Sequence, residues 1–354
     1  MALNRKHILI LTPGFPKDEQ DENCIPPLQI FIDKFDKEYN NFKLTVVTIH
    51  YPPMKGEYKW KKIDVYSCGG NNNSFPARLL TWNTCKRFAK NIQKQIPVNL
   101  IHSFWLGECA LLGNQLSKKY DVKHINTLMG QDLNQPNIYP KFVNLNTLKF
   151  VALSESQAAV FNSKTKNNSD YIIPWGISRE DLNAKERERD IDILGVGSLI
   201  PSKNFEFFVN VIETIKKSDP KINCMIIGDG TEKEKLIQII SSKELKNNIK
   251  LTGSMNRTDV LNYMQRSKIL LHTSNFESFG YALAEALSCG CYVVCKNTGF
   301  AKGSSKMLIA KNINDFAPII QKVLNRKHNS TPELPFPLDE TISAYKNLYE
   351  ENIR

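Results

Sequence analysis

Short apolar runs alternate with helix-patterned stretches twice along this 354-residue chain, and that alternation limits the fold more than any other feature. Residues 8–12, 44–49, 100–103, 124–127 and 150–154 read as strands, with helical patterns at 28–35, 79–95 and 110–116. A charged connector at 179–190 interrupts the series. It then restarts with strands at 191–197, 224–228 and 249–253 and helices at 205–215, 232–240 and 259–266. Strands alternating with helices build parallel sheets from βαβ units. The expectation is therefore an α/β protein of two doubly wound, Rossmann-like domains facing a cleft. Residues 1–178 form the first domain and 179–335 the second. Residues 336–354 carry a helix (341–349) beyond a Pro-rich stretch, expected to return to the first domain.

Composition narrows the class. With 41% apolar and 23% charged residues the chain reads as globular rather than disordered. No apolar run approaches the ~18–20 residues that span a bilayer, and residues 1–12 lack the charged, apolar and small-residue order of a signal peptide. The expected location is the cytoplasm, where the eight cysteines stay reduced. The net charge of +11 is concentrated in the first half, which calls for an anionic partner. No nucleic-acid module signature is present, so a membrane surface or a phosphorylated acceptor is expected. Lysines interleaved with aromatics at 55–62, and the cations at 86–94, are the expected contacts with an anionic bilayer.

The segment from Asn275 to Gly290 carries the chemistry. Glu277 and Glu285 stand eight residues apart around Phe279-Gly280, after an apolar run ending at Thr273. A strand closing near Thr273, a turn carrying Glu277 and a helix starting near Gly280 would place free amides beside carboxylates. Helix-start amides attract phosphate, and carboxylates accept strong hydrogen bonds from sugar hydroxyls. The alternative is one solvated and one helix-capping glutamate. Gly195-Val-Gly197 is followed by Ile200 where a dinucleotide fingerprint needs a third glycine, which counts against an oxidoreductase. Lys203, on the loop that follows, suits a diphosphate, and Gly228-Asp-Gly230 ends the next strand at the same sheet edge. Asp190-Ile-Asp192 imitates a metal-binding pair but opens a core strand, so a structural role is expected, and no other cluster has metal-ligand spacing.

These motifs, Val196-Gly-Ser-Leu-x₃-Lys203, Ile227-Gly-Asp-Gly230, Leu251-Thr-Gly253 and Glu277-Ser-Phe-Gly-x₄-Glu285-Ala-Leu-x₂-Gly290, occur in order at fitting distances. Together they resemble the donor domain of retaining, GT-B-fold family 4 glycosyltransferases (glycosyl transferases group 1). The resemblance is strong over 190–300 and looser over 1–178. It implies that Lys203 pairs with the donor diphosphate and Glu277 accepts hydrogen bonds from the donor sugar. It also implies that amides of Ser278, Phe279, Gly280 and Tyr281 hold phosphate or sugar, that Glu285 binds the ribose, and that Gly197, Ser198, Gly228 and Gly253 border the nucleotide. Glu277, Lys203 and Asp132 are the implied catalytic residues; His102, Met129, Gly130 and Gln131 are acceptor-side candidates. Ser198 stands where the family usually has Arg, and Met129 where it usually has His.

The expected function is thus a metal-independent, retaining transferase of the hexosyltransferase class. It would move sugar from a nucleoside-diphosphate sugar, used as substrate with no cofactor, to a glycan or lipid-linked hydroxyl in bacterial surface polysaccharide or glycolipid assembly. It would work in the cytoplasm or peripherally at the inner face of the plasma membrane. A non-catalytic or hydrolytic sugar-nucleotide-binding homologue and a sugar-nucleotide epimerase remain the alternatives.

Overall fold

The computed structural model describes residues 5–134, 136–182 and 188–353, so part of the connector at 179–190 lies outside the described residues. The chain divides into two units, Met1–Gly176 with Leu338–Arg354, and Ile177–Pro337.

In the first unit the elements are β1 (Lys6–Gly14), α1 (Pro26–Glu38), β2 (Phe42–Tyr51), β3 (Gly56–Trp60), β4 (Ile63–Ser67), α2 (Ala77–Gln95), β5 (Leu100–Phe104), α3 (Glu108–Tyr120), β6 (Lys123–Thr127), α4 (Gln131–Asn134), β7 (Lys149–Ala152), α5 (Glu155–Thr165) and β8 (Tyr171–Ile172). They form one sheet, ordered β3-β4-β2-β1-β5-β6-β7-β8, parallel except for the β3–β4 hairpin. Ile8 to Leu11 of β1 are wholly buried, as expected for a strand covered by helices on both faces. Pro26 opens α1 at a position where its missing N–H costs nothing. The helix then buries Leu28, Phe31, Ile32 and Phe35 along one stripe.

The β3–β4 hairpin differs from the aromatic–basic surface expected at 55–62. Trp60 is buried, edge-on to Phe15 at 5.0 Å. Lys59 pairs with Asp64 at 2.9 Å and Lys61 with Asp33 at 3.0 Å. Sheet formation turns the ring inward and gives those two cations partners.

The second unit contains β9 (Ile191–Val196), α6 (Phe205–Lys216), β10 (Cys224–Ile227), α7 (Lys233–Ser242), β11 (Ile249–Leu251), α8 (Arg257–Gln265), β12 (Ser267–His272), α9 (Tyr281–Ser288), β13 (Tyr292–Cys295), β14 (Met307–Ile309) and α10 (Phe316–Leu324). Its six strands, ordered β11-β10-β9-β12-β13-β14, are all parallel. Apolar clusters lie on both faces, one including α6, α7 and α10 and the other α8 and α9. Asp190 and Asp192 sit at the start of β9, at the sheet edge opposite the glycine-rich loops. Asp190 is bound to Arg266 and Asp192 to Lys268 at 2.7 Å. All eight cysteines are free thiols.

The last helix, α11 (Leu338–Asn352), belongs to the first unit. It buries Ile342, Tyr345 and Tyr349, and the Tyr345 ring lies 4.7 Å from that of Phe31 in α1.

Candidate functional site

β9 and β12 lie side by side, but the chain leaves β9 toward β10 and β12 toward β13. At such a reversal the loops beyond the strand ends part and leave a crevice where ligands of open α/β sheets bind. Lys203 ends a 3-10 turn, Pro201–Lys203, in the loop after β9, and Glu277 lies in the loop after β12. The two loops are tied together. Asn275 N donates to Ser202 O at 2.9 Å, and Thr273 Oγ1 donates to Lys203 O at 2.9 Å.

Lys203 Nζ stands 2.5 Å from Glu277 Oε1, and His272 Nε2 stands 2.9 Å from the same oxygen. A carboxylate only accepts, so both nitrogens donate. This assigns the proton to Nε2 of His272, whose Nδ1 is buried without a partner. Both of these partners meet Oε1. Burial would raise the Glu277 carboxyl, but the His272 hydrogen bond and the Lys203 charge outweigh it and hold the group down at about 2. A carboxyl held below its ordinary 4.5 stabilises the folded state above that pH, and the contribution disappears as pH falls toward 2. Between pH 6 and pH 3 the stability advantage of the native protein over Glu277→Gln is expected to shrink by roughly 2 kcal/mol. Denaturant midpoints at pH 6 and pH 3 measure it; an unchanged difference would contradict the pairing.

Gly280 precedes α9 with φ +92°, a left-handed conformation that costs glycine little and strains other residues. Its carbonyl accepts from Leu283 N at 2.9 Å, so the amides ahead of that bond belong to the open first turn of α9. Phe279 turns its ring inward, 5.0 Å from Phe300 and 5.1 Å from Phe336, and offers the site only its backbone. Ser278 and Tyr281 are half-buried.

Glu285 lies inside α9. It is 6% exposed, and its Oε1 lies 2.8 Å from Arg257 Nε at the start of α8. Arg257 Nη1 also holds Asp181 Oδ2 at 2.7 Å. Burial raises the Glu285 carboxyl against the opposing Arg257 charge. Gly197, Gly228 and Gly253 line up at the same sheet edge, with Gly197 N bonded to Ile227 O and Gly228 N to Gly253 O. A Cβ at Gly228 would come within 1.9 Å of Gly197 O, so only glycine fits there. Ser198 is exposed and supplies no charge. Lys296, at the end of β13, reaches Asn275 Oδ1 at 2.6 Å. His272, Arg257, Asp181 and Lys296 belong to none of the motifs in the sequence. His272 had one usable signal, a polar residue ending an apolar strand beside the motif; Arg257 had none.

In the first unit the candidates separate. His102 is wholly buried, with Nε2 2.9 Å from Thr127 Oγ1 and Nδ1 2.7 Å from Tyr349 OH, and burial holds its imidazole well below its ordinary value. It belongs to the core and has no face for an acceptor. Asp132 accepts from the amides of Gly130 (2.6 Å), Leu106 (2.8 Å) and Met129 (3.2 Å), bracing one loop against another. Burial raises its carboxyl even so. Gln131 lines a cavity of about 260 Å³ at the C-terminal ends of β1, β2 and β5, together with Pro13, His50, Trp105 and Tyr139; Met129 and Gly130 immediately precede Gln131. Glu108, at the start of α3, anchors that cavity. It accepts from Trp82 Nε1 and Tyr139 OH, both at 2.8 Å, and pairs with Arg78 at 3.1 Å and His50 at 3.4 Å.

Residues 178–332 match the family model of glycosyl transferases group 1. That match takes in nearly all of the second unit, Ile177–Pro337. The chain is accordingly an enzyme of the glycosyltransferase class with the GT-B fold. It is 26% identical over 289 residues to an uncharacterized glycosyltransferase of Methanocaldococcus jannaschii, covering 75% of this chain and 79% of that one. It is 31% identical over 144 residues to the phosphatidylinositol N-acetylglucosaminyltransferase gpi3 subunit of Schizosaccharomyces pombe, where the match spans 40% of this glycosyltransferase and only 31% of the relative. Among solved structures, the sucrose-phosphate synthase of Thermosynechococcus elongatus superposes with TM-score 0.78 at 15% identity, covering 98% and 99% of the two chains. HepE of Anabaena in complex with UDP-glucose superposes with TM-score 0.66 at 14% identity, covering 98% and 95%.

Proposed function

We propose that this glycosyltransferase takes a nucleoside-diphosphate sugar at the β9–β12 crevice and transfers the sugar, with retention at the anomeric carbon and without a metal ion, to an acceptor hydroxyl. The observation that carries this reading is the Lys203–Glu277–His272 assembly beside the open first turn of α9. A bound diphosphate competes for the Lys203 ammonium and takes the α9 amides; Glu277, still held by His272, turns Oε2 to a sugar hydroxyl. The bond from the anomeric carbon to the diphosphate oxygen breaks as the acceptor oxygen bonds to that carbon from the same face. The acceptor proton passes to the departing phosphate. Fixed positive charge at the leaving group is the electrostatic contribution the site makes. Glu285, its Oε1 fixed by Arg257, accepts from the ribose. The cavity bounded by Trp105, Gln131 and Glu108 receives the acceptor, a glycan or lipid-linked hydroxyl of the kind used in bacterial surface polysaccharide or glycolipid assembly.

Thermal shift against UDP-, GDP- and ADP-sugars tests the donor. UDP-sugars come first, because HepE and the pneumococcal O-GlcNAc transferase GtfA were solved with UDP. A ligand binding only the folded state at about 100 times its Kd stabilises by about 2.7 kcal/mol. No shift with any sugar nucleotide would overturn the reading. Because Lys203 and amides carry the charge at the leaving group, EDTA is expected to leave transfer unchanged. Inhibition by EDTA that Mg²⁺ or Mn²⁺ reverses would show the metal-independent step to be wrong.

A further inference from the structure

The first unit carries an apolar tip continuous with a basic helix face. Phe75, Leu79 and Leu80, at the start of α2, are 68%, 40% and 71% exposed, against the usual burial of such side chains. Ile138 and Phe142, 61% and 65% exposed, flank the 3-10 turn Tyr139–Lys141. Arg78 joins the two segments through a 3.3 Å hydrogen bond to Tyr139 OH. The two segments that carry these exposed apolar side chains are therefore neighbours.

From Leu80 the exposed face of α2 continues through Asn83, Arg87, Lys90 and Lys94, spaced three or four residues apart along one side of the helix. The opposite side, with Cys85, Phe88, Ala89 and Ile92, is buried in the core. The nineteen-residue helix contains five cations and no acidic residue. Among the described residues Lys86, Arg87, Lys90 and Lys94 have no ion-pair partner, whereas Lys59 and Lys61 of the β3–β4 hairpin are paired.

We propose that this surface docks on an anionic phospholipid bilayer, with the Phe75–Leu80 and Ile138–Phe142 tips entering the headgroup region and the α2 cations facing the lipid phosphates. Uncompensated cations running into an apolar tip match the interface, where charge meets hydrocarbon within one layer. The tip also adjoins the cavity anchored by Glu108, since Arg78 and Tyr139 line both. An acceptor with a polar head and a lipid tail would thus reach that cavity from the membrane. The docking itself does not depend on the donor chemistry, so its failure and that of the proposed transfer are distinguishable.

Flotation of the full chain with vesicles of 30% phosphatidylglycerol in phosphatidylcholine tests it. The protein is expected to float at low salt and to be released at about 0.5 M salt, where exposed charges are screened within a few ångströms. Arg87→Gln with Lys90→Gln should lower partitioning about 30-fold, a factor of about five for each cation lost. Phe75→Ser with Leu80→Ser should weaken it at every salt concentration, and Lys59→Gln should leave it unchanged. Circular dichroism confirms that each variant is folded. No flotation of the native chain with anionic vesicles, or flotation indifferent to both α2 pairs, would overturn the proposal.

Discussion

Glu277→Gln is expected to lower sugar transfer by about 10²–10³-fold while the protein stays folded, the scale on which a single preorganised polar contact acts at a reacting centre. The amide keeps the size of the carboxyl but loses the charge that orders its surroundings. Lys203 and His272 both point at Oε1. With a neutral group there, the ammonium loses its partner, and the imidazole proton meets a weaker acceptor. The donor sugar then loses the oxygen that orients it for same-face attack. Initial rates of nucleoside diphosphate release, with donor binding followed separately, measure the effect. Transfer within threefold of the native rate by a folded variant would remove Glu277 from the reaction.

Arg257→Met is expected to destabilise the second unit by about 3–5 kcal/mol, the usual range when one partner of a buried ion pair is removed. Arg257 lies between Glu285 at 2.8 Å and Asp181 at 2.7 Å, and Glu285 is 6% exposed. Without the guanidinium, burial pushes the Glu285 carboxyl further up, and the group must either protonate or open the fold to water. Adding Glu285→Gln to Arg257→Met should recover most of the lost stability, because the buried carboxylate is then neutral and Asp181, its side chain 31% exposed, reaches water. Urea midpoints of the two single variants and the double variant give the coupling directly. A loss below 1 kcal/mol in Arg257→Met would mean that water already reaches the pair.

The two ion pairs show where reading the chain in one dimension stops. Strands and helices follow from local periodicity, so β9, α6, β10 and β12 lie within a few residues of their expected bounds. The edge strands β3 and β14, and β4 between β3 and β2, are too brief, or too polar, to announce themselves. Glu277, Gly280 and Lys203 were legible because a turn, a helix start and a loop lysine have local chemistry. Their convergence was expected only from the family pattern, since Lys203 and Glu277 are 74 positions apart and meet through the order of strands.

The burial of a polar residue is least legible of all. His102 reads as a strand-end candidate, yet its partner Tyr349 comes from a helix 247 residues later. Lys59, Trp60 and Lys61 read as a basic–aromatic surface until the β3–β4 hairpin pairs the charges and buries the ring. The sequence by itself determined the α/β class, the two alternating series and the motif residues that bring carboxylate, ammonium and amides to one sheet edge. Only the tertiary structure decided which of those groups share a proton or a charge, which are enclosed, and which cations face solvent alone. Periodicity and turn chemistry act over a few residues, whereas desolvation and pairing depend on neighbours that strand order supplies from far along the chain.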